Sequence, residues 1–309
     1  LGLLLLIIFY PVLFGSKALF LIDITSLDQG LTTYVVNFIK NGELPLFTPD
    51  ILSGNPLLGV YPPLYYPPML LFLILPFHLA FCLLVILHLF LAGLGVYLTG
   101  IHWKLSKAGS LYGALIYSLN GYMMESQNMY QWLFAFCWIP FIFLYTEKTI
   151  DNKNFKNFFF LTLFSALQLA TGRMDFFYFT QMFLWIWIIW RLVNIYKFND
   201  QSETSKGNIQ DLFKITGLLV LSIILAILLL SVEILPLLDY LKITDRSGGA
   251  LIEDALGSSL NPFQLLQLIF NNLFGDIFYN RYISTLIFGI NPTLFYNLYI
   301  GLPAFLIII

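Results

Sequence analysis

Residues 77–100, FHLAFCLLVILHLFLAGLGVYLTG, contain no Asp, Glu, Lys or Arg. A helix needs roughly 20 such residues, at about 1.5 Å each, to cross a hydrocarbon core about 30 Å thick. Further apolar stretches follow the same logic at 1–15, 107–122, 131–146, 157–171, 176–195, 213–231 and 293–309. Several are short, which tilt or burial among neighbours accommodates. Only 10% of the residues are charged and 59% are apolar, against about 25% charged in soluble domains. Such a chain cannot cover a soluble surface. The expectation is an all-α integral membrane protein, one helical bundle of about eight spans over residues 1–309. No segment shows the sustained period-two alternation of an outer-membrane barrel.

The run 64–76 is too short to cross and carries Tyr65, Tyr66, Pro67 and Pro68, so it reads as re-entrant or interfacial. The chain begins on Leu and ends AFLIII, so both ends read as cut within a span. No basic n-region or small-residue cleavage site marks a signal peptide.

Lys and Arg set the orientation. Nine of them lie in or beside the short loops 101–106, 147–156 and 191–214, and six are spread over the longer loops. The positive-inside rule places the short loops in the cytoplasm. The long loops 16–66 and 232–292 then face outward, and twelve of the seventeen acids fall on that side. Chemistry is therefore expected on the outer face. Leu31, Tyr34, Val35 and Phe38 share one helical stripe, which predicts a membrane-surface helix over 29–40. A second is predicted over 262–274, with Asn261 as N-cap and an apolar stripe of Phe263, Leu266, Phe270 and Leu273. Eight of the fourteen prolines lie between 45 and 76, so that segment forms an irregular rigid loop buried against protein or facing water.

The net charge of −2 implies no nucleic-acid partner. Cys82 and Cys137 sit in apolar runs and read as small buried hydrophobes. His78 and His88 are about 15 Å apart along one helix, which argues against a histidine metal site. No HExxH, CxxC, P-loop or GxSxG pattern occurs. No cofactor is implied, and the sequence supports no divalent-metal site.

Asp28 has two compatible readings: N-cap of the helix 29–40, or a general base or metal ligand held just outside the membrane. Asp23, closer to the span end, reads as interfacial. Arg173 and Asp175 read as an ion pair ending two helices, or Arg173 as a binder of an anionic head group. Lys242 and Arg246 share a helix face if the helix there continues, either as a solvated surface or as a phosphate clamp.

Together these segments resemble the YfhO-like bacterial membrane proteins of the GT-C class of multi-span glycosyltransferases. The resemblance rests on the Asp28–Gln29 pair after the first span, on GELPLFTPDILSGNPLLGVYPPLYYPP, SLYGALIYSLNGYM, ATGRMDFFYFTQ and SVEILPLLDYLKITDRSG, and on GSSLNPFQLLQLIFNNLFGD and YIGLPAF, in order. It departs at Gly172-Arg173-Met174-Asp175, where relatives tend to carry a Gly-His-Pro-Gln-like turn. The resemblance implies a multi-pass protein of the bacterial cytoplasmic membrane that moves a sugar from a polyprenyl-phosphate donor to an extracytoplasmic polymer, lipid or protein. Asp28 would be the catalytic base, with Gln29, Arg173, Lys242 and Arg246 on the substrates. A transporter, flippase or envelope-assembly protein on the same fold is the alternative. Relatives are longer, so the chain reads as the N-terminal part of a longer protein.

Overall fold

The computed structural model describes residues 1–19, 28–50, 54–57, 65–198, 209–249, 262–270, 273, 298–301 and 304. Asp23, Asn261 and most of the expected span 293–309 lie outside them. Among the described residues twelve α-helices follow in order: α1 Gly2–Ile8, α2 Tyr10–Leu13, α3 Gln29–Lys40, α4 Leu71–Ile74, α5 Phe77–His102, α6 Lys107–Leu119, α7 Gly121–Glu125, α8 Tyr130–Asp151, α9 Phe155–Leu169, α10 Met174–Phe198, α11 Ile209–Leu229 and α12 Ser231–Leu241. The only strands among the described residues are the two-residue pair Phe47–Thr48 and Asn55–Pro56. The protein is all-α.

Two helices, α5 and α8, are both long and apolar enough to cross a membrane. A third stretch, 213–241, passes the same test only as α11 and α12 together, bent by 73°. The 21 residues of α11 cover about 31 Å along its axis, and the bend falls at Leu230, at the end of the expected span 213–231. The expected span 1–15 is instead two short pieces, broken at Phe9 ahead of Pro11. The expected span 107–122 is thirteen residues of α6, ended where Asn120 accepts from Met123 N–H and starts α7. In α10, the 25 residues are long enough but include Asp175, Gln181 and Arg191.

Contacts along the helices show how they run. Phe81 meets Tyr130 and His88 meets Trp138, so α5 and α8 are parallel. Between Gly100–Ser110 and Gly93–Ser118 contacts, α6 runs back against α5. Asn157 reaches Lys148 and Gln168 reaches Ala135, so α9 returns along α8. Trp132–Phe176 and Trp187–Glu147 contacts set α10 parallel to α8. The outcome is an up-and-down bundle whose polar ends gather at the two ends of α8. Tyr130 and Glu147 are about 25 Å apart along that helix.

Small residues allow the closest packing. A Cβ on Gly95 would lie 2.9 Å from Pro140 Cβ, and one on Gly100 would lie 2.6 Å from Ser110 Oγ. Between helices in lipid, such close approach is the main source of association. Gly95→Val and Gly100→Val should each lower stability by about 1–3 kcal/mol through overpacking. Gly113→Ala, whose Cβ would meet only Val96 at 3.6 Å, should be tolerated. Thermal unfolding in detergent checks this; equal losses in all three would refute it.

The surface helix over 29–40 forms as expected, with Leu31 and Val35 buried. The second surface helix differs. It is a 3-10 segment, Pro262–Leu268, with Gln264 and Gln267 buried and Phe263, Leu266, Phe270 and Leu273 exposed. A threefold period sets the glutamines at i and i+3 on one inward face. Cys82 and Cys137 are buried, as expected.

Candidate functional site

The start of α8 meets two of the ionisable groups that the sequence places outside, Asp28 at Tyr130 and Arg173 at Trp132. Asp28 stands one residue before α3 with helical backbone angles, φ −66° and ψ −39°, and its side chain makes no capping hydrogen bond. The cap role is therefore not the one it plays here. Its carboxylate lies within electrostatic reach of the Tyr130 phenol. Gln29 follows, half-buried, as the first residue of α3.

Arg173 sits in the tight turn between α9 and α10, where Gly172 adopts φ +78°, a conformation glycine reaches without steric cost. Its guanidinium pairs with Asp175, as the ion-pair reading expects. It also lies 4.7 Å from the Trp132 ring centre and 5.3 Å from that of Phe176. Its Nε is buried and has no hydrogen-bond partner among the described residues. Phe176 also lines an apolar groove of about 510 Å³ between α8 and α10, together with Phe136, Phe183 and Trp187. Arg173 is thus one residue removed from the groove, through the ring of Phe176.

The phosphate clamp of Lys242 and Arg246 does not form on one helix. α12 stops at Leu241, Lys242 is its C-cap, and Arg246 falls in a separate 3-10 turn, Asp245–Gly248. Lys242 is exposed and pairs with Asp239 at 2.6 Å, a surface pair of small energetic weight.

Glu233 reads from the sequence as one of several charged residues on a solvated face after a span, and the structure buries it instead. It lies in the first turn of α12 and is only 8% exposed. Its Oε2 has no hydrogen-bond partner among the described residues. Its Oε1 is 3.8 Å from where a Cβ on Gly172 would stand. Burial alone lifts its carboxyl to about 7. Beside it, the Tyr65 phenol is raised first by burial and then by the Glu233 charge.

Tyr66, next to Tyr65, ties the irregular segment to the bundle. Trp138 Nε1–H donates to the Tyr66 oxygen at 2.9 Å, and Tyr66 O–H donates to His88 Nε2. His88 Nδ1–H donates to the Leu84 carbonyl at 2.6 Å. A carbonyl only accepts, which fixes the proton on Nδ1 and leaves Nε2 as acceptor. This histidine is a satisfied core residue, and among the described residues no group of three or more His, Cys, Asp or Glu could hold a metal. Tyr66→Phe strands two buried polar groups and should cost about 2 kcal/mol or more. An unchanged unfolding temperature would contradict it.

Comparison with protein-family models, with curated proteins and with solved structures finds no match.

Proposed function

We propose that this protein is a membrane glycosyltransferase that takes a sugar from a polyprenyl-phosphate donor and passes it to an acceptor on the outer side of a bacterial cytoplasmic membrane. The observation that carries the reading is Arg173 against Phe176, a residue that lines the 510 Å³ groove, at the same end of α8 as Asp28 and Glu233. An apolar groove suits an isoprenoid chain, and a planar guanidinium suits the phosphate it bears. A carboxylate at that level can take the proton of an attacking hydroxyl; Asp28 is assigned that role, with Gln29 beside it. Lys242 and Arg246 are more remote donors of positive charge. The orientation follows the basic residues: Lys104 and Lys153 sit in the connections at the other end of α8, and Lys107, Lys148 and Lys156 in the helix ends beside them.

A second reading, a carrier on the same fold, is favoured by one observation, the buried Glu233 beside the 73° break between α11 and α12. Discontinuous helices with ionisable groups are typical of transport sites. Vesicles holding the purified protein and polyprenyl-phosphate donors bearing a hexose, an N-acetylhexosamine or an aminopentose separate the two. The transferase reading expects release of polyprenyl phosphate from at least one donor with an acceptor present. Donor crossing the bilayer intact, with no release, would support the carrier instead.

A further inference from the structure

We propose that Glu233, in its uncharged form, is a hydrogen-bond donor to a phosphodiester held at the Gly172–Arg173 turn. This rests on reading that turn as the phosphate site of the transferase, and it adds a group which that reading does not contain.

An acidic residue in the first turn of a helix is usually explained by the helix dipole. That account fits an exposed carboxylate. It does not fit a side chain 8% exposed whose Oε2 meets no donor. The reciprocal bond of a capping box is closed to it, because Leu230 N–H already donates to the Ala226 carbonyl. Leaving a buried carboxyl oxygen unmet is costly, so a ligand that supplies what the described residues do not is the simpler explanation.

The neighbours decide what that partner is. Among the described groups, Tyr65 faces Glu233 across the segment before α4. From the α9–α10 turn comes Gly172, without a side chain to fill the approach. Arg173 is the next residue, but its charge is engaged by Asp175 and stacked on Trp132. On α12 itself, Asp239 and Lys242 neutralise each other at the exposed far end. Among the described residues no cation neutralises Glu233, so burial favours the acid over the carboxylate and pushes its carboxyl up to about 7. A carboxylate at this turn would repel a phosphate. A carboxylic acid has an O–H to offer to a phosphate oxygen, and a bound anion further favours the protonated form. One cation already shared with an aspartate is a weak grip on a phosphodiester; the neutral acid completes it.

The test uses a ligand that does not titrate. Dodecyl methyl phosphate carries one negative charge from pH 5 to pH 9, and dimethyl phosphate is its chain-free counterpart. Binding to the detergent-solubilised protein is followed by Trp fluorescence, with Trp132→Phe identifying the reporter. Dodecyl methyl phosphate affinity should fall at least tenfold as pH rises from 6 to 8, with a midpoint near 7. Glu233→Gln keeps a donor and cannot ionise, so it should bind well with no pH dependence. Glu233→Leu should bind weakly throughout, and its unfolding temperature shows whether it folds. Dimethyl phosphate binding with the same midpoint would assign the site to free phosphodiesters and still support the donor role. Affinity in the native protein that is flat with pH, or Glu233→Gln behaving as Glu233→Leu, would overturn it while leaving the phosphate site standing. No binding of either ligand by the native protein would remove the site and the inference together.

Discussion

Arg191→Met should destabilise the protein by about 3 kcal/mol or more, because it leaves a buried carboxylate without its cation. Glu147 is 2% exposed, near the opposite end of α8 from Asp28. Trp187 Nε1–H donates to its Oε1 at 2.8 Å, and Arg191 Nε lies 3.5 Å from its Oε2, as does Trp103 Nε1. Arg191 also lies 3.6 Å from Asp151, which His102 approaches at 3.3 Å. The cluster ties the ends of α5, α8 and α10 together. Glu147→Gln removes the charge but can keep its oxygen toward Trp187, so the double variant Glu147→Gln/Arg191→Met should be more stable than Arg191→Met alone. Chemical denaturation of the detergent-solubilised single and double variants gives the coupling. A double variant as unstable as the summed singles would show that the charges do not act as a pair.

That cluster also marks where the sequence stops being legible. The helix 77–100 is plain from an unbroken apolar run, and α5 occupies Phe77–His102. The run 131–146 is equally plain, but Glu147, Lys148 and Thr149 read as the start of a loop. The helix continues to Asp151, because α10 brings two donors to Glu147. The spacing was visible: Glu147 and Asp151 are four apart, and so are Trp187 and Arg191. Two such pairs on neighbouring helices signal facing partners. Glu233 had no comparable signal. Its burial depends on how the Gly172 turn packs over α12, which no local pattern encodes. Conversely, the helix 29–40 was legible because its stripe is local. The stripe over 262–274 was visible but misleading, since the segment follows a 3-10 period.

Asp28→Asn should leave folding unchanged and reduce sugar transfer by about two orders of magnitude or more. The substitution keeps size and polarity and removes only the charge. Asn and Asp cap equally well, and the Asp28 side chain makes no capping bond in any case. A structural role at the start of α3 therefore predicts almost no change. α3 is anchored by Leu31 and Val35, which pack with Leu57, so the position of residue 28 beside Tyr130 does not depend on the carboxylate. Release of polyprenyl phosphate from the active donor, with acceptor present, reads the effect. Nearly full activity in Asp28→Asn would end its assignment as the base. Partial recovery at raised divalent cation would instead make Asp28 a metal ligand. Glu233→Gln, assayed alongside, separates the two carboxylates by the sign of their pH dependence. A base must be ionised and is lost as pH falls, whereas the Glu233 acid must be protonated and is lost as pH rises through about 7. Removing Glu233's charge should flatten the alkaline limb of transfer and leave the Asp28 limb in place.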